Sequence, residues 1–516
     1  MTLDALPGVV AVSVVAVATL VIGTWGLRLS RTTSDFFVAS RSVNPRLNAS
    51  AIGGEYLSAA SFLGVAGLLL TFGAEMLWYP IGWTAGYLVL LALVAAPLRR
   101  SGAYTLPDFA EARLGSRGVR STCSVLVVAI AWLYLLPQFQ GAGLTLHSAV
   151  GAPTWVGPLV VGVVVLANIG SGGMRSITFV QAFQYWLKLT ALLLPAAVLL
   201  AVWVGDGSPA APAGAADLTD WSMPLADGGG GRGLYLTYSL ILATFLGTMG
   251  LPHVVVRFYT NPDGPAARRT TLVVLGLLGL FYVIPPVYGA LGRVYADELA
   301  SSGRSDVLVL ELPRLMVGGA LGDVLSGLVT AGAFAAFLST SSGLSIAVAG
   351  VLGQDVFDRA FGRSLTGVTA FRIGGVAAVV VPLLVALALP NVGVARAVGL
   401  AFAVAASTFC PLLVLGIWWR RLTDAGAVAG LAVGFLGSGS AVLWAMTSRS
   451  TDGWGVLLEQ PAAWSVPLAF AAMVGVSLLT PHRVPVHTRR FLARLHAPES
   501  LRPVPRRPEP RDRSSR

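Results

Sequence analysis

Residues 53–61 read Gly53-Gly54-Glu55-Tyr56-Leu57-Ser58-Ala59-Ala60-Ser61, and they lie in the middle of an otherwise apolar run over 47–70. A hydrocarbon core about 30 Å thick needs roughly 20 helical residues to cross it, so the run is long enough to span a bilayer. An ordinary spanning helix has no use for a glycine pair, a carboxylate and two hydroxyls at mid-depth. In lipid an unpaired backbone group costs several kcal/mol, so a helix weakened this way is tolerated only inside protein or beside a wet cavity. The segment therefore predicts a broken helix that faces the interior of a bundle.

Twelve further apolar runs surround it. With the first, they fall near 7–27, 47–70, 76–98, 121–145, 153–169, 180–205, 234–258, 271–293, 317–350, 369–390, 394–418, 425–446 and 463–480. The whole chain of 516 residues is 55% hydrophobic and 11% charged, with a mean hydropathy of +0.75. That is too apolar for a soluble domain, and it predicts an all-α polytopic membrane protein of about 13 spans. The first run lacks a basic leader and a small-residue cleavage site, so it is expected to stay as a helix. Cys123 and Cys410 both lie in predicted spans, which implies neither a disulfide nor a metal framework.

A formal charge of +11 suits nucleic acid as a partner, but the position of the arginines argues for the lipid bilayer instead. Twenty-eight basic residues fall on one set of alternate loops and the tail, six on the other set, and Lys188 inside a span. By the positive-inside rule the amino terminus is outside and the carboxy terminus cytoplasmic, in a cell membrane crossed many times. Residues 1–480 are read as the membrane domain. The tail 481–516, rich in Arg and Pro, is read as a disordered basic cytoplasmic segment.

Two more spans are built to break or to bind. The seventh carries Gly247-Thr248-Met249-Gly250-Leu251-Pro252-His253, where two glycines precede a proline with no N–H to donate. Gly247, Gly250 and Pro252 are its expected gating break. The ninth carries Ser339-Thr340-Ser341-Ser342-Gly343. Interrupted helices at corresponding places in two halves point to a secondary-transporter site, with freed carbonyls for cations and half-helix amides for anions. The second and seventh spans are five apart. That predicts two inverted units of five helices, about 47–205 and 234–418, with three spans outside them.

At this point the motifs are similar to those of the sodium:solute symporter family, in its acetate and monocarboxylate permease branch. The resemblance rests on SDFFVASRSV after the first span, GEYLSAASFLG at 54–64, GGMRSITFVQ at 172–181 and GTMGLPHVVVRFYT at 247–260. It implies an inverted-repeat fold of the LeuT type and a sodium ion between the second and ninth spans. The family's cation ligands fall on the carbonyls of Gly54, Leu57 and Ala336 and the hydroxyls of Ser339 and Thr340. Oxygen ligands of this kind suit a small hard cation. Gln181 stands where sugar and proline branches place aspartate, which favours monocarboxylates such as acetate, propionate or pyruvate. Glu55 stands where the acetate branch usually has aspartate.

A carboxylate substrate needs hydrogen-bond donors in a mostly apolar pocket. The candidates nearest the breaks are Glu55, Tyr56, Ser58, Ser61, Gln138, Gln181 and Lys188. Gln181, Gln184 and Lys188 follow i, i+3, i+7 spacing and share one helix face. Lys188 has two readings, a substrate contact or a side chain reaching back to the headgroups. Other small solutes, such as an amino acid, urea or another organic acid, and a membrane sensor are the competing classes. No HExxH or GxSxG motif supports an enzyme, and no cofactor is implied beyond sodium as coupling ion.

Overall fold

The computed structural model describes residues 6–27, 35, 38–211, 231–357, 367–389, 393–447 and 455–499. Among them, eleven helical segments are long and apolar enough to cross a membrane. One of these, Ala60–Ser101, turns at Gly73 (φ 77°) and so holds both the end of the second span and the whole third span. A shorter apolar helix, Val156–Gly170, is the fifth. Each of the thirteen apolar runs read from the sequence thus has its helical segment.

In chain order these are α1 (Leu6–Leu27), α2 (Pro45–Tyr56), α3 (Val65–Phe72), α4 (Trp78–Val89, running on to Ser101), α5 (Leu106–Leu114), α6 (Arg117–Val150) and α7 (Val156–Gly205). There follow α8 (Gly231–Gly250), α9 (Pro252–Phe258), α10 (Gly264–Tyr282), α11 (Pro285–Tyr295), α12 (Leu308–Val317), α13 (Gly319–Val351) and α14 (Gly367–Ala388). The chain closes with α15 (Val394–Trp418), α16 (Asp424–Thr447), α17 (Ala462–Leu479) and α18 (Thr488–His496). α7 is two spans in one. Gly173 divides it with φ 59° and ψ −148°, a conformation that only glycine adopts without strain.

Both predicted breaks are present. α2 starts at an Asn44 cap with Pro45 in its first turn and stops at Leu57, whose ψ of 85° leaves the helix. Helix resumes through a wide turn over Ala60–Gly64 into α3. On the other side, α8 stops at Gly250, Leu251 is extended (ψ 120°), and Pro252 opens α9. Gly250 ends the helix at the break, and Leu251 and Pro252 follow it. Gly247 and Gly250 let α8 lie against α15, since a Cβ on either would fall 2.4 Å from Phe402 O or 2.2 Å from Ala405 O.

The helices sort into centre and periphery. The most apolar stretch of α15 is 89% buried and that of α13 is 78% buried, against 28% for α1 and 33% for α17. α13 packs on both halves of α7 and on α6, while α15 packs on α8. α1, α16 and α17 stand outside this core, as the two five-helix units require.

The tail needs correction. Residues 488–496 form a helix rather than disordered chain, with Phe491, Leu492 and Leu495 buried, and Phe491 against Phe109 of α5. Arg113, itself buried, bonds the carbonyls of Gly416 and Trp419 and the Thr488 hydroxyl, fastening α18 to α5 and α15. Glu499 ties the end down through Arg100 at 3.2 Å and the Gly264 amide at 2.8 Å. Partial burial opposes its charge, yet these donors hold its carboxyl below the usual range. Of the arginines behind the topology reading, Arg28, Arg31, Arg359, Arg363, Arg449 and those after residue 499 lie outside the described residues.

Candidate functional site

The interruption of α2 frees carbonyls that a continuous helix would use. Leu57 N still reaches Gly53 O at 3.0 Å, and Phe62 N reaches Ser58 O at 3.0 Å. Gly54 O and Leu57 O instead turn toward α7, where both accept from the Lys188 ammonium, at 2.7 Å for Leu57. The same Nζ lies 2.8 Å from Ser339 Oγ on α13. Ser339 in turn donates to Ala336 O at 3.0 Å, and Thr340 donates to Glu55 O at 2.6 Å. Gln181, two turns before Lys188 on α7, donates to Ser339 O at 2.8 Å.

Gly54, Leu57 and Ser339, three of the five residues expected as cation ligands, are thus gathered around one point, while Ala336 O takes the Ser339 hydroxyl and Thr340 turns to the adjacent carbonyl of Glu55. The occupant of that point is Lys188. This differs from both sequence readings of the lysine, which neither faces a substrate pocket nor reaches for headgroups; its side chain is fully buried. The residues present do not fit a sodium ion at this position, because the oxygens that would ligate it already surround an ammonium.

Glu55 points the other way. Its Oε2 accepts from Arg257 Nε of α9 at 2.5 Å, with both side chains buried, and Arg257 Nη1 also donates to Thr178 of α7 at 3.0 Å. The sequence reading had counted Arg257 with a cytoplasmic loop. The structure buries it against Glu55 instead, because α9 folds back under α2. A single charge in the apolar run Pro252–Phe258 was the signal available. Nearby, Asn48 of α2 donates to Asn261 Oδ1 at 3.2 Å, so α2 and the end of α9 are joined twice.

Beside the two breaks lies a buried aromatic cluster. Phe402 of α15 is at its centre, with ring centroids of Trp83 at 5.7 Å, Tyr134 at 5.9 Å and Tyr56 at 6.3 Å. Tyr134 carries the contact on to His253 at 5.4 Å, and Trp83 carries it on to Tyr282 at 5.9 Å. Tyr56 hydrogen-bonds Thr248 at 2.7 Å, Ser61 bonds Tyr282 at 2.9 Å, and Gln138 Oε1 accepts from the Ala59 amide at 3.0 Å. Tyr56, Ser61 and Gln138 are thus already engaged, while Ser58 sits buried between the break and Tyr134. Trp83 Nε1, Tyr87 Oη, Gln138 Nε2 and both ring nitrogens of His253 are buried with no hydrogen-bond partner. Trp83, Tyr134, His253 and Phe402 were not singled out as contacts from sequence, since aromatics and a lone histidine in apolar runs read as packing.

Tyr79 meets Trp83 edge-on at 5.4 Å and also lines a cavity of about 500 Å³ with Glu75, Arg232, Thr237, Arg396 and Glu459. Glu75 accepts from Thr237 at 2.5 Å, and Arg232 and Arg396 both approach Glu459, at 3.8 and 3.9 Å.

A bundle with two broken helices and buried polar groups gathered at both breaks is a secondary transporter by class. The comparisons agree. The sodium:solute symporter family model matches residues 36–434, and the chain belongs to that family. It is therefore a multi-pass membrane symporter and not an enzyme. It is 32% identical over 503 residues to a monocarboxylic acid transporter of Corynebacterium glutamicum, covering 89% of this chain and 90% of that one. It is 31% identical over 477 residues to YwcA of Bacillus subtilis, an uncharacterized symporter, covering 88% and 90%. Among solved structures it resembles a Na+-coupled sialic acid symporter in a substrate-bound outward-open state, with a TM-score of 0.72 at 15% identity over 92% of this chain and 98% of that one. A second match is Mhp1, a nucleobase-cation-symport-1 transporter in a closed conformation, with a TM-score of 0.55 at 16% identity over 89% and 98%. These likenesses show the inverted-repeat fold that the sequence resemblance implied.

Proposed function

We propose that the chain is a cation-coupled symporter for small monocarboxylates such as acetate, propionate or pyruvate, and that the solute binds at the aromatic cluster when the bundle opens there. The observation that carries this reading is the set of unpaired polar groups there. Trp83 Nε1 can only donate, Tyr87 Oη and Gln138 Nε2 donate readily, and His253 donates from one nitrogen. A buried donor left without a partner costs about 1–3 kcal/mol, so several in one place call for an acceptor. A carboxylate offers two oxygens and about four lone pairs in a small volume. The rings of Phe402, Tyr134 and Tyr56 suit its short apolar tail.

The relative from Corynebacterium glutamicum adds support by its name. The test is uptake of radiolabelled acetate, propionate and pyruvate by purified protein in liposomes under imposed cation gradients. Saturable uptake that each of the three inhibits is expected, weakened about tenfold or more in apparent affinity by Trp83→Phe, which removes one donor. Movement of proline or glucose without any monocarboxylate refutes the substrate class.

A further inference from the structure

We infer that the cation position between the second and ninth spans is filled by the chain's own Lys188, so that no sodium ion binds there while that side chain is in place. The hydrogens available at this position identify its occupant. Gly54 O and Leu57 O are carbonyl oxygens and can only accept. Ser339 has a hydroxyl hydrogen, but it is directed to Ala336 O at 3.0 Å, so its oxygen also accepts from the lysine. Three acceptors around one nitrogen require three N–H donors, and the ammonium form of lysine has three. The group is thus a cation held by oxygens drawn from an unwound carbonyl pair and a serine, the same donor set that suits a free monovalent ion.

The surrounding packing is built to deliver it. α2 and α7 approach so closely that a Cβ at Gly54 would lie 2.0 Å from Gln181 O. Gln181 holds the neighbouring Ser339 carbonyl, and Gln184, one turn before Lys188, bonds Thr19 on α1 at 3.1 Å. α7 is therefore fixed on three neighbours, and Lys188 has one place to go. Glu55, the nearest carboxylate on α2, is taken up by Arg257 and leaves the ammonium to the carbonyls.

A tethered ammonium does what a bound ion would do for structure, since it joins α2, α7 and α13 at the break. It cannot dissociate into either compartment. Any ion that drives the solute through this chain must consequently bind at another position. This inference goes beyond the monocarboxylate reading, and it is tested by ion binding rather than uptake, so the two fail separately.

The experiment is equilibrium binding of radioactive sodium to the purified full-length protein in detergent. In the wild-type background, Ser339→Ala with Thr340→Ala should leave sodium binding unchanged. Lys188→Ala should add one saturable sodium per chain, and combining it with the Ser339 and Thr340 changes should remove that addition. Wild-type sodium binding that is lost with the two hydroxyls overturns the inference. So does a folded Lys188→Ala variant, monodisperse on gel filtration, that gains no sodium. If the alanine variant aggregates, Lys188→Asn takes its place, and the wild-type comparison decides independently of both.

Discussion

Removing either partner of the Glu55–Arg257 pair should destabilise the protein far more than removing both. The pair is 2.5 Å long, with side chains only 3% and 1% exposed, and it ties α2 to α9 at the heart of the bundle. Breaking such a pair leaves a buried charge without compensation and costs about 3–5 kcal/mol, whereas replacing both charges with apolar groups is often nearly neutral. Arg257 keeps only the Thr178 hydroxyl at 3.0 Å when Glu55 is lost, which does not offset a full charge. Glu55→Leu and Arg257→Leu alone should therefore each cost about 3 kcal/mol or more, a shift of roughly 150-fold in the unfolding equilibrium. The double variant should recover most of this, costing about 1 kcal/mol or less, so the coupling energy should be about 5 kcal/mol in magnitude, above the range usual for residues in contact. Glu55→Asp keeps the charge but shortens the reach by one methylene, so it should fall between wild type and Glu55→Leu. The assay is a double-mutant cycle on reversible unfolding in mixed micelles titrated with a denaturing detergent, followed by tryptophan fluorescence. Single variants that each cost under about 1 kcal/mol, or that simply add in the double, would refute the reasoning and make Glu55 a group available to a substrate or an ion.

The close approach of α2 to α7 makes a second prediction. Gly54→Ala would place a methyl 2.0 Å from a backbone oxygen that cannot rotate away, whereas Gly276→Ala meets nothing within 4 Å. The first should lower stability by about 1–3 kcal/mol or abolish expression, and the second should be silent or slightly stabilising in a helix; equal melting curves for the two would contradict the packing. For topology, the excess of basic residues on alternate loops predicts a cytoplasmic tail. A carboxy-terminal reporter that is active only outside the cell would overturn that placement.

The span count, the two breaks and the five-helix offset between them were all legible before any coordinates, because each is a local property of the chain. Length and apolarity over some 20 residues decide whether a helix crosses a bilayer, and Gly53-Gly54 or Gly250-Leu251-Pro252 weaken a helix wherever they stand. The gathering of Gly54, Leu57 and Ser339 was also foreseeable, though through resemblance to a family rather than from spacing. What the residues around those oxygens do was not legible. Lys188 meets Leu57 across 131 positions and Ser339 across 151, and Arg257 meets Glu55 across 202. In sequence Lys188 is a polar residue on a helical stripe with Gln181 and Gln184, and that stripe fits a lipid-edge lysine as well as a buried one. Only the packing of α7 between α2 and α13 decides which, because a buried ammonium is tolerated only where oxygens converge on it. The tail shows the same limit at the surface. Its Arg- and Pro-rich composition reads as solvated chain, and it is the hydrophobic side of α18, with Phe491, Leu492 and Leu495 set against α5, that holds it folded.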